Sequence, residues 1–288
     1  MPEVMVTGST GFIGQHLTKR LFSLGFQVTA LTRSNGDISD SATWDALKAV
    51  ETVVHLAANT FVPDSWQKPN SYLKTNLTGT ILALEYCRRH GANFVYLSSY
   101  LYGNPEELPI PEASQLIASN PYALSKKLAE DVCRFYAENF GVKVTILRPF
   151  NVFGPGQSGH FLIPSIIDQI NSDTVITVQD LEPKRDYVYV DDLVEAIVLA
   201  MRNRRDFDVF NIGTGQSYSV QDLIQIIQDI KGTALAVKAV GKRRHGEVMD
   251  TRADISRAKS FLNWEPQFSL KSGLASMLIS RSSFDIVS

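Results

Sequence analysis

The first fourteen residues constrain the fold of this chain more than any other segment. Residues 4–7 have the apolar, β-branched composition of a buried strand and are followed at once by a glycine-rich turn. The three glycines of the turn stand at three-residue spacing: Gly8, Gly11 and Gly14. An amphipathic run follows and predicts a helix over residues 11–24. A strand that passes through a tight turn into a helix typically opens a βαβ unit, which favours a parallel sheet.

Short apolar runs alternate with amphipathic runs through the first half of the chain. The predicted strands cover residues 4–7, 27–31, 52–56, 93–98 and 143–147, and the predicted helices cover residues 11–24, 69–90 and 122–139. Strands joined by helices pair in parallel through right-handed crossovers, so we predict an α/β fold with a Rossmann-like, doubly wound parallel sheet. Only a short helix over residues 41–50 fits between the second and third strands, so one crossover is trimmed.

The glycine turn also has the chemistry of a dinucleotide site. Gly8 permits the tight turn, Gly11 lets the backbone approach a pyrophosphate, and Gly14 lets the helix pack closely. Free N–H groups at the helix N-terminus then bind the phosphate oxygens. The alternative is an ordinary strand-turn-helix with glycines for geometry alone. The strand before the turn and the helix after it favour the cofactor site.

The end of the second strand bears on the choice between NAD and NADP. An NAD site usually offers an acidic residue there to the ribose 2′-OH, whereas Thr32 fills that position and Arg33 follows it. A guanidinium suits a 2′-phosphate, so NADP(H) is favoured over NAD(H). The alternative is that Arg33 is a solvated loop residue in a site that accepts both. The predicted cofactor-binding residues are Gly8, Thr10, Gly11, Phe12, Ile13, Gly14, Arg33, Ser34, Asp37, Ile38, Leu56, Ala57, Ala58, Tyr122, Lys126 and Pro149.

Three polar residues downstream predict a catalytic site for hydride transfer. Ser98 ends a predicted strand, and Tyr122 and Lys126 stand four residues apart on a predicted helix, so they share a face. An ammonium group and an oxidised nicotinamide nearby would lower the tyrosine pKa from about 10 toward the range of acid–base catalysis. Ser98 is predicted to hold the substrate oxygen, with Ser99 as the neighbouring alternative. Tyr-x-x-x-Lys spacing also arises by chance on solvated helices, so its weight comes from its place after the cofactor turn.

The pattern of elements changes after Arg148. Residues 149–156 are rich in turn formers, and the later elements are shorter: helices near 163–171, from 192, and near 219, 254 and 269, with strands at 187–190 and 208–212. We predict a NAD(P)-binding Rossmann domain over residues 1–150. A smaller mixed α/β portion over residues 151–288 is predicted to bind the substrate and to cross back to the first domain.

Composition disfavours several other functions. The formal net charge of the 288 residues is -2, which provides no basic field for nucleic acid or an anionic membrane. The apolar runs are too short to span a bilayer, and the chain enters its first strand without a charged leader, so we expect a cytoplasmic protein. Cys87 and Cys133 are expected to be core residues in a reducing compartment. His, Cys and acidic residues lack metal-ligand spacing, so no metal is predicted.

At these motifs the chain resembles an extended short-chain dehydrogenase/reductase of the NAD(P)-dependent nucleotide-sugar epimerase/dehydratase family. The likeness covers nearly the whole length. It is carried by Thr7-Gly-Ser-Thr-Gly-Phe-Ile-Gly14, His55-Leu-Ala-Ala58, Asn76-Leu-Thr-Gly-Thr80, Leu97-Ser-Ser-Tyr-Leu-Tyr-Gly103, Asn120-Pro-Tyr-Ala-Leu-Ser-Lys126, Arg148-Pro-Phe-Asn151, Lys184-Arg-Asp-Tyr-Val-Tyr-Val-Asp191 and Trp264-Glu-Pro266. Within the group, residues 61–66, 151–158, 180–186 and 217–222 are most similar to GDP-4-keto-6-deoxy-mannose reductases.

The resemblance implies a nucleoside-diphosphate sugar as substrate. Family dehydratases carry an acidic pair just after the catalytic hydroxyl residue, and Ser99 and Tyr100 stand there, so we do not expect dehydration. Reduction of a 4-keto-6-deoxy sugar at C4 needs only Ser98, Tyr122, Lys126 and the cofactor. A 4-epimerase acting by transient oxidation would use the same motifs. An NADP-binding sensor without turnover, the alternative from another class, would be expected to lack one of the three residues.

The resemblance also implies substrate contacts and a partner. Arg185 and Arg244 would clamp the pyrophosphate, Glu247 would accept from a ribose or base, and Asn151 and Ser99 would contact the sugar or diphosphate. The basic run at 242–244 has the alternative of a solvated or nucleic-acid-binding patch. A dehydrogenase of free sugar acids would not need the clamp. The helices at 69–90 and 122–139 resemble the family's four-helix interface, which implies a homodimer.

Overall fold

A computed structural model describes residues 2–203, 205–241 and 247–284, with side chains as far as residue 279. The strands are β1 (Glu3–Thr7), β2 (Gln27–Leu31), β3 (Thr52–His55), β4 (Asn93–Leu97), β5 (Val144–Pro149), β6 (Asn151–Phe153), β7 (Val175–Val178), β8 (Lys184–Tyr189), β9 (Phe207–Ile212), β10 (Ser217–Ser219), β11 (Ala236–Ala239) and β12 (Asp250–Thr251). The helices are α1 (Phe12–Ser23), α2 (Ser41–Asp45), α3 (Val62–Gln67), α4 (Pro69–Tyr72), α5 (Gly79–His90), α6 (Pro121–Phe140), α7 (Leu162–Ser172), α8 (Val190–Ala200), α9 (Val220–Lys231) and α10 (Leu270–Phe284).

The main sheet has six parallel strands in the order β2-β1-β3-β4-β5-β9. This confirms the predicted doubly wound α/β fold. The chain moves outward from β1 to β2 and then crosses to β3 on the other side of β1, so the topological switch point lies between β1 and β3. Ligands of such sheets bind at the carboxyl ends of the strands beside that point. The sixth strand, β9, comes from the second half of the chain, and the boundary near residue 150 stays a prediction.

Helices cover both faces of this sheet, which explains why its central strands β3, β4 and β5 are buried along almost their whole length. On one face α1 and α8 bury Leu17 and Ile197 against the sheet. On the other face α5 and α6 bury the free thiols of Cys87 and Cys133. Burying a large aliphatic side chain contributes about 1.5–3 kcal/mol to the stability of the fold. The packed helix layers therefore hold the ends of the strands in fixed positions relative to the helices.

Local sequence signals set both ends of α6, the helix that carries Tyr122 and Lys126. Asn120 caps its N-terminus by accepting a hydrogen bond of 2.8 Å from the backbone N–H of Ala123. Gly141 ends it in the left-handed conformation, with φ of 69°. The helix predicted over 69–90 is instead divided into α4, a π-helical segment (Leu73–Thr78) and α5. A 3.6-residue periodicity does not reveal such an insertion.

In the second portion, a buried carboxylate of strand β8 binds the backbone of two neighbouring segments. Asp186 accepts hydrogen bonds from the backbone N–H groups of Thr214, Gly215 and Ala253, at 2.7, 2.9 and 3.1 Å. Because successive side chains of a strand point to opposite faces, Arg185 lies on the face away from this carboxylate. The strand predicted at 187–190 begins three residues earlier in the structure, at Lys184. Its short partner strands β6, β10 and β12 were not predicted from the sequence.

Candidate active site

The glycine turn has the geometry that the sequence predicts, with one difference. Gly8 has a φ of +69°, and a Cβ there would lie 2.9 Å from the backbone of Ala57. A Cβ on Gly14 would lie 2.2 Å from the Gly8 carbonyl oxygen, so the crowding at Gly14 is with the turn itself rather than with the sheet. The N-cap of α1, Gly11, makes no side-chain cap, and the first turn of α1 holds no acidic residue. Its backbone N–H groups are therefore suited to an anion.

One large cavity, of about 1430 Å³, runs from this turn along the carboxyl ends of the strands. It is lined by most of the predicted site residues: Gly8, Thr10, Gly11, Phe12, Ile13, Gly14, Arg33, Asp37, Ile38, Leu56, Ala57, Ala58, Ser98, Ser99, Tyr122, Lys126, Pro149, Asn151, Arg185 and Glu247. Ser34 is not part of this lining, and its hydroxyl lies 2.7 Å from that of Thr32 instead. Arg244 lies outside the described residues. Phe61 and His160 make a ring contact of 5.8 Å within the lining.

At the far end of the cavity, a short 3₁₀ turn (Arg33–Asn35) presents the Arg33 side chain at the surface. Thr32 is held by Asn35, whose side-chain oxygen accepts from the Thr32 backbone N–H at 2.9 Å. Asp37 accepts from the backbone and hydroxyl of Ser39, and these hydrogen bonds lower the pKa of its carboxyl group. This end therefore combines an exposed guanidinium with an ionised carboxylate.

Ser98 does not face Tyr122, contrary to the prediction. Its hydroxyl donates a hydrogen bond of 2.5 Å to Glu130, which is bound by Arg148 at 2.6 Å in a buried ion pair. The reason is strand alternation. Ser98 continues the face of β4 that carries Tyr96, and that face is covered by α6. Ser98 thus belongs to the packing between the sheet and α6, although part of it borders the cavity.

The neighbouring serine, Ser99, forms the predicted hydroxyl pair. Its side chain lies beside the Tyr122 hydroxyl, where it favours the phenolate and so acts to lower the pKa of Tyr122. On this geometry Ser99, the alternative that the sequence left open, is the better candidate for the hydroxyl beside Tyr122. Burial raises the pKa of Tyr122 to about 12, and Ser99 only partly opposes this. The sequence predicts a lowering by an ammonium and an oxidised nicotinamide, whereas among the protein groups alone desolvation penalises the phenolate more than its neighbours favour it.

Lys126 lies one turn further along α6 and is buried. Its ammonium group donates a hydrogen bond of 2.6 Å to the carbonyl oxygen of Leu97, at the end of β4. Burial lowers the pKa of Lys126 to about 8, and the charge of Glu130 partly offsets this. Tyr122, Ser99 and Lys126 are thus held together where β4 ends and α6 begins.

Asn76 connects two walls of the cavity. Its side chain accepts from the backbone N–H of Asn59 at 2.8 Å and donates to the hydroxyl of Ser125 at 2.9 Å. That hydroxyl donates in turn to the carbonyl oxygen of Tyr122 at 2.7 Å. The π-helical segment places Asn76 for this role. Asn76 therefore ties the loop after β3 to the first turn of α6.

The predicted sugar and diphosphate contacts meet on the opposite wall. Asn151 accepts a hydrogen bond of 3.1 Å from Tyr100 and donates to the carbonyl oxygen of Asp186. Arg185 donates to the carbonyl oxygen of Val248 at 2.7 Å and forms a salt bridge with Glu247. Both charges of this pair are mostly buried at the edge of the cavity. The sequence did not predict that Arg185 and Glu247 pair with each other, because they lie 62 positions apart.

Two further features of the described part of the chain concern metal ions and membranes. No cluster of three or more His, Cys, Asp or Glu side chains there is arranged to hold a metal ion. No helix within the same ranges is long and apolar enough to cross a membrane.

The sequence is similar to one protein family and to individual proteins whose names describe epimerases and a reductase. The NAD dependent epimerase/dehydratase family matches residues 4–213. A UDP-glucose 4-epimerase of Lactobacillus helveticus is 31% identical, over 92% of this chain and 92% of that protein. A GDP-6-deoxy-D-mannose reductase of Pseudomonas aeruginosa is 30% identical, over 96% of each.

Solved structures show the same two kinds of relative. The UDP-glucose 4-epimerase of Thermotoga maritima, with UDP-glucose, superposes with a TM-score of 0.90 at 30% identity, covering 98% of this chain and 99% of that one. RMD from Pseudomonas aeruginosa, complexed with NADPH, gives 0.90 at 29% identity, covering 99% and 100%. Sequence and structure thus agree with the family that the motifs predicted, and the chain belongs to the NAD dependent epimerase/dehydratase family of enzymes.

Proposed function

We propose that this enzyme reduces a nucleoside-diphosphate 4-keto-6-deoxy sugar at C4 with NADPH, and that Tyr122 donates the proton. The observation that carries the proposal is that Ser99, Tyr122 and Lys126 line the same cavity as the glycine turn, with Ser99 beside the Tyr122 hydroxyl. The reductase of Pseudomonas aeruginosa among the relatives supports the same chemistry.

The cradle fits a dinucleotide. Gly8 and Gly14 stand where a Cβ would collide with backbone, and the N-terminus of α1 offers uncapped N–H groups to a pyrophosphate. When bound, the nicotinamide would supply the hydride. Arg33 is exposed at the end where a 2′-phosphate would lie, which favours NADP(H) over NAD(H). Solved relatives carry either cofactor, NADPH in one case and NAD in another.

The side chains have complementary roles in this reaction. Ser99 and Tyr122 donate hydrogen bonds to the C4 carbonyl oxygen and so stabilise the negative charge that develops there. Tyr122 then transfers its proton to that oxygen. A raised pKa keeps the phenol protonated at neutral pH, which suits a proton donor. Lys126 holds a positive charge beneath the site while the phenol gives up its proton.

On the substrate side, Arg185 is proposed to bind the diphosphate. Its guanidinium borders the cavity and is already oriented by Glu247 and by a backbone carbonyl, so little side-chain freedom is lost on binding. Asn151, fixed by Tyr100, is proposed to contact the sugar or diphosphate. Arg244 is proposed as a second cation for the diphosphate on the basis of the family resemblance alone.

Dehydration fits this site poorly. With Ser99 as the catalytic hydroxyl, the next two residues are Tyr100 and Leu101, and neither is an acid at neutral pH. Tyr100 also gives its hydrogen bond to Asn151. The acidic pair that a dehydratase needs to remove a C5 proton and protonate the leaving hydroxyl is therefore lacking at these positions.

A 4-epimerase is the second candidate, because a UDP-glucose 4-epimerase matches at a similar identity. Incubation with NADPH and freshly prepared GDP-4-keto-6-deoxy-mannose separates the two. Net NADPH oxidation supports the reductase. Interconversion of UDP-glucose and UDP-galactose without net cofactor consumption would instead support the epimerase and contradict the reductase.

The assembly and location are also proposals. A homodimer through α5 and α6 is proposed from the family resemblance, and light scattering in solution tests it. A monomer at micromolar concentration would contradict it. The cytoplasmic location stays a prediction, which fractionation of the producing cells tests.

A further inference from the structure

The catalytic lysine rests on an aromatic face that the proposed mechanism does not use. The ammonium nitrogen of Lys126 lies 4.4 Å from the centre of the Tyr96 ring. Tyr96 is in β4, is 1% exposed, and its ring forms part of the floor beneath α6. An ammonium over a desolvated aromatic face is attracted by the ring quadrupole, most strongly where water is excluded.

Apart from Glu130, the titratable groups around Lys126 do little to hold its charge. On the same helix, Tyr122 and the Cys133 thiol are neutral, because burial raises the pKa of each. On β3, His55 is neutral as well, since burial lowers its pKa to about 3. Glu130, the neighbouring carboxylate on α6, partly offsets the desolvation of Lys126, but its charge is shared with Arg148 from β5, which binds it through several hydrogen bonds.

This leaves two contacts that favour a charged Lys126 without being neutralised by another ion. One is the carbonyl oxygen of Leu97, at 2.6 Å, and the other is the face of Tyr96. Both belong to the last two residues of β4. The strand that leads to Ser99 therefore also provides two groups that contact the ammonium group.

We propose that Tyr96 is a positioning residue for Lys126, whose ring face keeps the ammonium charged and directed toward the cofactor. The proposal rests on the proposed role of Lys126 beside the cofactor. It acts through Lys126 and requires no contact between Tyr96 and any ligand.

The test compares two substitutions of the same residue. Tyr96→Phe keeps the aromatic face and removes only the hydroxyl, whereas Tyr96→Leu removes the face and keeps most of the apolar volume. The dissociation constant of NADPH is measured from its fluorescence across neutral to alkaline pH, with Lys126→Met as the reference. Circular dichroism confirms folding, and Tyr96→Met repeats the test if the leucine variant does not fold.

We expect NADPH affinity to fall on the alkaline side as Lys126 loses its proton, and this dependence to be absent in Lys126→Met. In Tyr96→Leu the fall should begin about one pH unit lower, a roughly tenfold loss of affinity above that pH, while Tyr96→Phe behaves like the wild type. An unchanged pH dependence in Tyr96→Leu, an equal shift in Tyr96→Phe, or a fall that persists in Lys126→Met would each overturn the proposal.

This readout is independent of turnover. If no nucleotide sugar reacts, the proposed reaction fails, but the NADPH titration still reports on Lys126 and Tyr96. If the sugar reacts and the titration shows no effect of Tyr96→Leu, the reaction stands and the positioning role of Tyr96 fails.

Discussion

Ser98 and Ser99 are neighbours in the chain, but the structure predicts that changing Ser98 to alanine lowers stability, whereas changing Ser99 to alanine lowers kcat. Ser98→Ala removes a buried hydrogen bond of 2.5 Å to the Glu130 carboxylate. Hydrogen bonds to charged groups contribute about 1.5–3 kcal/mol, so we expect the free energy of unfolding to fall by about that amount. Glu130 keeps its hydrogen bonds to Arg148, so kcat should change little.

Ser99→Ala removes the hydroxyl that is paired with Tyr122. Loss of one donor at a developing oxyanion typically costs about 10²–10³ in kcat. Ser99 is only half-buried, so its loss should lower the unfolding free energy by less than about 1 kcal/mol.

Urea unfolding followed by fluorescence gives the stability of each variant, and NADPH oxidation with the 4-keto sugar gives kcat. Ser23→Ala, at an exposed position whose hydroxyl contacts only its own helix, is the control and should stay within about 0.5 kcal/mol of the wild type. The reasoning would be refuted by the reverse result: loss of activity at unchanged stability in Ser98→Ala, with Ser99→Ala fully active.

Three further predictions concern the cofactor end and the lysine. Gly14→Ala should abolish NADPH binding, because its Cβ would lie 2.2 Å from the Gly8 carbonyl oxygen. Gly159→Ala, whose Cβ would lie 3.4 Å from its nearest neighbour, should bind NADPH like the wild type. If calorimetry gave the same NADPH affinity for Gly14→Ala as for Gly159→Ala, this prediction would be contradicted. Arg33→Ala should weaken NADPH binding about tenfold to a hundredfold and leave NADH unchanged; an equal loss for both would show that Arg33 does not read the 2′-phosphate. The buried ammonium of Lys126 destabilises the folded state below pH 8, since its pKa falls from 10.5 to about 8 on folding. Between these values the unfolded chain binds more protons, so wild type should gain about 3 kcal/mol relative to Lys126→Met as pH rises, and urea unfolding that shows a constant difference would refute this.

The parallel sheet and the glycine turn were predictable because they depend on local pattern. Buried apolar runs of strand length, separated by amphipathic helices, admit few topologies. The crowding at Gly8 and Gly14 follows from spacing that any strand-turn-helix of this kind must satisfy. By contrast, β10 and β12 have only three and two residues, too few to show a period.

The exchange of Ser98 for Ser99 has a physical cause that the sequence contained in part. Alternation along β4 puts Ser98 on the side of Tyr96, which α6 covers, and this reasoning was available once the end of the strand was known. What the sequence could not supply was the partner. Glu130 and Arg148 lie 32 and 50 positions away from Ser98, and only the packed fold brings the three together.

The extent to which burial raises the pKa of Tyr122 was not predictable from the sequence, for a related reason. Sequence shows that Lys126 shares a face with Tyr122, but it does not show how much water the site loses on folding. Desolvation of the phenol outweighs the effect of Ser99 and raises the pKa. The pairing of Arg185 with Glu247 likewise depends on a contact between distant segments.

The most direct test of the account follows the hydrogen itself. NADPH deuterated at nicotinamide C4, prepared as each of the two epimers, is incubated with the 4-keto-6-deoxy sugar nucleotide, and the product is examined by NMR. We expect deuterium at sugar C4 from one epimer with wild type and a severe loss of this product with Tyr122→Phe. A product without deuterium, or full transfer by Tyr122→Phe, would contradict the assignment of this protein as a 4-ketoreductase that uses Tyr122 as its proton donor.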